Sequence, residues 1–195
     1  MSADGENILK LIKQVRSLCE QLSLLLRTAD ESMIKAGWQN ESSNAIAEIS
    51  WSIRNPERWM PIAAFRYYTH KDHKNLLAYV SILLDDHWDR RYAIKEPLAT
   101  AGFFDYGKGA EVGENWDYWY LRYFGYLSKD HNLKPNGQPF HFKREIVPSS
   151  IQGKFKKLFE KGAVFALPLT SITNASEVDS LITGRLLKLV SDENL

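Results

Sequence analysis

The amino-acid sequence predicts an α+β fold: a mostly antiparallel sheet of four to five strands, packed by aromatic-rich helices, with a long amphipathic helix at the N-terminus. Two patterns along the chain point there. Apolar residues keep helical spacing over the first thirty positions, and later runs have the length and β-branched or aromatic content of strands, separated by turn residues. A third observation is how the aromatics divide. All six tryptophans and all nine tyrosines lie between Trp38 and Tyr126, and the first 37 residues contain no aromatic. This separates a leucine-rich helical arm, residues 1–37, from one α+β domain, residues 38–195.

In the arm, Ile8, Leu11, Val15, Leu18, Leu22, Leu25 and Ala29 follow 3,4,3,4,3,4 spacing. That lays one stripe along a helix of about six turns. Ile12, Cys19 and Leu26 stand beside the second seam residue of each heptad and widen the stripe beyond what a two-stranded coil needs. The helix is therefore expected to dock on the body or on a second copy, with Gly37 as its stop. Gln39 to Asn44 reads as a polar connector. Residues 45–54 fit both periods and lean towards helix, until Pro56 and Pro61 break the pattern.

Ile62 to Thr69 and Leu76 to Leu84 read as two strands of a hairpin, joined by the polar stretch His70 to Asn75. The second strand is apolar on both faces, which places it at the centre of the sheet. A third strand follows at Leu98 to Tyr106. Gly107, Gly109 and Gly113 then turn the chain into a helix from Asn115 to Leu127, on which Trp116, Trp119, Tyr120, Tyr123 and Phe124 keep helical spacing. Phe140 to Val147 is a short strand. Ser150 caps a helix running to Gly162. Ala163 to Ile172 is a strand assigned to an edge because Pro168 donates no ladder hydrogen bond. Ser176 and Asp179 have the spacing of a capping box for a last helix carrying Val178, Leu181, Ile182, Leu186 and Leu189.

Composition limits the function classes. With 25 basic and 24 acidic side chains the net charge is +1, so no global field recommends nucleic acid or a membrane. The single cysteine, Cys19, excludes an internal disulfide and is expected as a buried, reduced thiol. The N-terminus lacks the basic start of a signal peptide, and no apolar run is long enough to span a bilayer. These features together suggest a cytoplasmic protein.

Four constellations are worth weighing as chemistry. His70 and His73 lie in the hairpin loop, and a meander returns Asp105 towards them, which makes a candidate metal site. The cluster Asp85, Asp86, His87 and Asp89 stands at the other end of the second strand, about 30 Å away at ~3.3 Å per residue, and does not join them. Between Lys134 and Lys161 seven bases face two acids, and Lys154, Lys157 and Lys161 share a helix face that could meet phosphates. The Gly107–Gly113 turn resembles an anion-binding loop in layout, but Glu111, Glu114 and Asp117 oppose a phosphate there. No sequence motif of a hydrolase or of a cofactor site is present, so no cofactor is implied.

The tyrosines and tryptophan outside the helical and strand stripes, Tyr68, Trp88, Tyr106, Tyr118 and Tyr126, become the candidate contact residues. The function expected is a cytosolic binding or interaction module, a subunit of a larger assembly, with a protein partner or self-association through the N-terminal helix. The alternative is a metal-dependent enzyme acting on nucleic acid or a phosphorylated substrate.

Overall fold

A computed structural model of the chain describes residues 3–42, 46–47, 53–54, 60–61, 63–84, 94–108, 133–143 and 159–193. Helix α1 (Ala3–Lys35) is followed by β1 (Trp38–Asn40), β2 (Ile46–Ala47), β3 (Ala63–His70), β4 (Leu76–Leu83), β5 (Leu98–Asp105), β6 (Phe140–Lys143) and β7 (Lys161–Pro168). A short 3-10 turn, Leu169–Ser171, leads into a C-terminal helix, α2, spanning residues 175–193. The fold is α+β. Its strands form one antiparallel sheet in the order β1-β3-β4-β5-β7-β6, and β2 shares the outer edge of β3 with β1.

The β3–β4–β5 meander follows from the hydrophobic pattern. All eight residues of β4 are buried, because its two faces are both apolar and both covered. On one face Ala64, Tyr68, Leu76, Ala78, Val80, Ile82, Ala99, Ala101, Phe103 and Phe165 meet the two helices. Small residues in the middle of this face let the helices sit close. Helix α1 lies over β1, β3 and β4, α2 lies over β5, and the two helices touch each other. On the opposite face Tyr79 stacks on Phe104 with centroids 5.6 Å apart, and Phe104 is tilted against Phe142 and Phe159, which meet edge to face, at 5.0 to 5.9 Å.

Several elements differ from the sequence reading. The connector after Gly37 begins with a strand: β1 pairs with the end of β3, Trp38 opposite His70, which buries the Trp38 ring under the helices. In the segment that leaned towards helix, Ile46 and Ala47 pair as strand with Ala64 and Ala63. Strand β7 is not an edge. It lies between β5 and β6, and Pro168 is its last residue, so the missing N–H falls where the ladder stops and Leu169 N–H donates instead to Pro97 O.

Gly162, read as a helix end, belongs to β7. A Cβ there would stand 2.6 Å from Cζ of Phe142, so a bare backbone is what lets that ring lie on the strand.

The cap of α2 is also shifted by two residues from the expected Ser176–Asp179 pair. Asn174 Oδ1 accepts from Glu177 N–H at 3.1 Å, and Glu177 reaches back to accept from Thr173 N–H at 2.6 Å. These bonds hold the exposed Glu177 carboxyl below its ordinary range. After this turn the helix widens into a π segment, Val178–Thr183, before resuming as α-helix at Gly184. Within it Thr183 Oγ1 lies 2.9 Å from Ser32 Oγ of α1, a direct polar link between the helices.

Asn115 to Leu127, the helix expected from Ser150 up to residue 158, and the cluster Asp85 to Asp89 lie outside the described residues. So do Trp88, Tyr118, Tyr126, Lys154 and Lys157.

Candidate functional site

The described residues offer two places where function can be sought: a small cavity beside the hairpin histidines, and the free half of α1. The cavity forms because β1 brings Trp38 against the last residue of β3, while α2 closes from above. Its volume is about 280 Å³, with Trp38, His70, His73, Leu187, Val190 and Ser191 among its walls. Trp38 and His70 are 5.2 Å apart between ring centroids, and His70 and His73 are 4.9 Å apart. The tight turn that joins the histidines is set by His73 N–H donating to His70 O and Leu76 N–H donating to His73 O.

Nδ1 of His70 accepts from Asp72 N–H at 3.2 Å, so the neutral ring carries its proton on Nε2 and presents a donor there. Burial, then the charge of His73, lowers the His70 pKa from the usual histidine value; Asp72 opposes this and Lys71 adds to it. The ring is consequently neutral at physiological pH.

Asp105 returns beside the hairpin as the meander required, opposite Leu76. Its carboxylate is nevertheless committed elsewhere. Oδ1 accepts from Asn75 Nδ2 at 2.6 Å and from Gly107 N–H at 2.9 Å, and Oδ2 faces Lys161 Nζ at 4.0 Å. It pins the end of β5 to the hairpin and to the start of β7. Among the described residues no group of three or more His, Cys, Asp or Glu is placed to hold a metal ion.

Two candidate contact tyrosines are in the interior. Tyr68 is 0% exposed and Tyr106 is buried. Tyr68 points towards α1, where its hydroxyl donates to Asp30 Oδ1 at 2.9 Å. The same carboxylate accepts from Asn40 Nδ2 at 2.9 Å and from Arg66 Nε at 3.0 Å. One acid on α1 thus binds β1 and β3 together. Burial and then the Asp30 charge raise the Tyr68 pKa far above the tyrosine range, so the phenol stays protonated. Of Lys154, Lys157 and Lys161, only Lys161 is within the described residues, and it stands at the start of β7 beside Asp105, not on a helix face.

The free half of α1 is a surface that the aromatic pattern did not point to, although the heptad did. Leu22, Leu25, Leu26, Ala29 and Met33 are buried on the sheet. Further back on the same stripe Ile8 is 59% exposed, Leu11 61%, Ile12 44% and Val15 36%. Helix α1 has 33 residues and so extends about 50 Å at 1.5 Å per residue, whereas an eight-residue strand reaches only about 26 Å. The helix outruns the sheet, and its apolar face continues past it. Cys19 lies on this projecting part and is exposed, contrary to the buried thiol expected, because the sheet ends before it can cover that turn.

No described helix is long and apolar enough to cross a membrane. Comparison with family models, with characterised proteins and with solved structures finds no match to this chain.

Proposed function

We propose that this chain is a cytosolic interaction module, a subunit that joins a larger assembly through the projecting half of α1. One observation carries the reading. A single apolar stripe runs the length of α1, its second half is buried within the chain, and its first half, Ile8, Leu11, Ile12 and Val15, is exposed. Single exposed apolar side chains are ordinary, but a contiguous patch on the order of a few hundred Å² marks a contact surface. A free helix of this length is also only marginally stable in water, so a partner that covers the stripe would supply what the sheet supplies further along. The exposed thiol of Cys19 is consistent with a reducing compartment.

The test is a pair of substitutions on that stripe, Ile8→Glu with Leu11→Glu. Both sites are exposed, so thermal unfolding is expected to remain as in the native protein. Association, read as sedimentation and as capture of partners by tagged protein, is expected to be lost. If the double variant sediments and captures like the native chain, the reading fails.

A further inference from the structure

We propose that the occupant of the projecting face is the same face of a second copy, paired antiparallel. This rests on the interaction reading above and adds the identity and direction of the partner.

The direction comes from where the sheet sits. Leu18 is half-buried where the stripe reaches the core, and from Leu22 onward the stripe is seated on β1, β3, β4 and α2. A parallel partner helix would continue along that same face and run into the sheet. An antiparallel partner covers residues 8–18 and ends where the sheet begins.

The seam positions fit this direction. In an antiparallel helix pair, the first seam residue of a heptad meets the second seam residue of the other chain. Taking Ile8 and Val15 as first and Leu11 and Leu18 as second, Ile8 meets Leu18 of the second copy and Leu11 meets Val15, in layers symmetric about the level of Lys13. The surface is self-complementary, as a two-fold interface must be.

Charge selects a copy of this chain over a different protein. In an antiparallel self-pair each flanking position faces its own equivalent, so a charged flank would meet a like charge. The flanks here carry none: Ile12 and Cys19 on one side, Asn7, Gln14 and Gln21 on the other. Lys10, Lys13, Arg16 and Glu20 stand away from the seam. A segment shaped for a charged foreign helix would place opposite charges at those flanks instead. Four exposed apolar side chains, Ile8, Leu11, Ile12 and Val15, offer each copy a short seam, so the association is expected to be weak and to depend on concentration.

The experiment uses the full chain in a Cys19→Ser background. One tagged preparation carries Ile8→Cys and a second, of different mass, carries Leu18→Cys. The mixture is oxidised gently beside each preparation alone, and the native chain is sedimented over a range of concentrations. The expected result is a dimer that grows with concentration and a disulfide formed in the mixture but not in either preparation alone. If Leu18→Cys disturbs folding, Leu11→Cys with Val15→Cys gives the same readout from two exposed sites. Cross-linking of Ile8→Cys to itself would mean parallel pairing and overturn the proposal. A monomer at every concentration would overturn it too, while capture of another protein that Ile8→Glu with Leu11→Glu abolishes would leave the interaction reading in place.

Discussion

Gly37 is where the arm becomes the domain, and two constraints meet on its α-carbon. Its φ is +89°, the left-handed conformation that closes a helix. A Cβ there would also stand 2.9 Å from Nε2 of His70. Gly37→Ala is therefore expected to lower stability by about 1–3 kcal/mol in urea titration, more than loss of a cap alone would explain. Tyr68 fixes a second joint. Replacing it with phenylalanine leaves Asp30 short of one donor and is expected to cost about 1–2 kcal/mol. Its raised pKa has a definite sign. The native state keeps the phenolic proton where the unfolded chain releases it, so stability holds below about pH 10 and falls as pH rises further. Urea midpoints taken through that range should fall less steeply in Tyr68→Phe than in the native protein. His70 works at the other end of the scale. Its pKa is lowered in the fold, so its contribution is present above about pH 6.5 and is lost as pH falls through the native value. Acidification from neutral should reduce stability less in His70→Gln than in the native chain, by the same titration.

At the scale of elements, α1 is one helix in two environments, and matched substitutions should expose the difference. Leu26→Ala opens a cavity against the sheet and is expected to cost about 2–4 kcal/mol. Leu11→Ala, on the same stripe but exposed, is expected to change the stability of dilute protein by no more than about 0.5 kcal/mol. Equal losses at the two positions would mean that the free half is covered within the chain. These elements also show what was legible in the sequence. The meander, α1 and the inward face of α2 could be read because each buries a regular period. The central place of β4 followed from its two apolar faces. Strand β1 could not be read, because three residues carry no period and Trp38 is buried by a pairing with His70 thirty-two positions away. The edge assignment of β7 failed for a related reason: Pro168 excludes a ladder bond at one position, and only the register shows that this position is the last. Cys19 was misplaced because a heptad tells which face is apolar but not how far the sheet extends beneath it.

At the scale of the whole molecule, the described residues form a covered sheet core and a helix whose first half extends past it. Asp30, Ser32 and the buried stripe bind α1 to β1, β3 and α2, so the projecting half is held in a fixed direction by a rigid base. The site features expected from aromatic surplus resolved differently among the described residues. Tyr68 and Tyr106 are interior, and the exposed apolar surface is aliphatic. Sequence reasoning had the signal for this surface in the 3,4 spacing, yet which half of the stripe would remain uncovered depends on the length of the strands below it.

Amide hydrogen exchange along α1, followed as a function of protein concentration, tests this division most directly. Residues 22–35 should be protected equally at every dilution, because the sheet covers them within one chain. Residues 8–18 should exchange freely in dilute protein and gain protection as concentration rises. Protection of residues 8–18 that does not change on dilution, or exchange that stays fast at the highest concentration, would contradict the account.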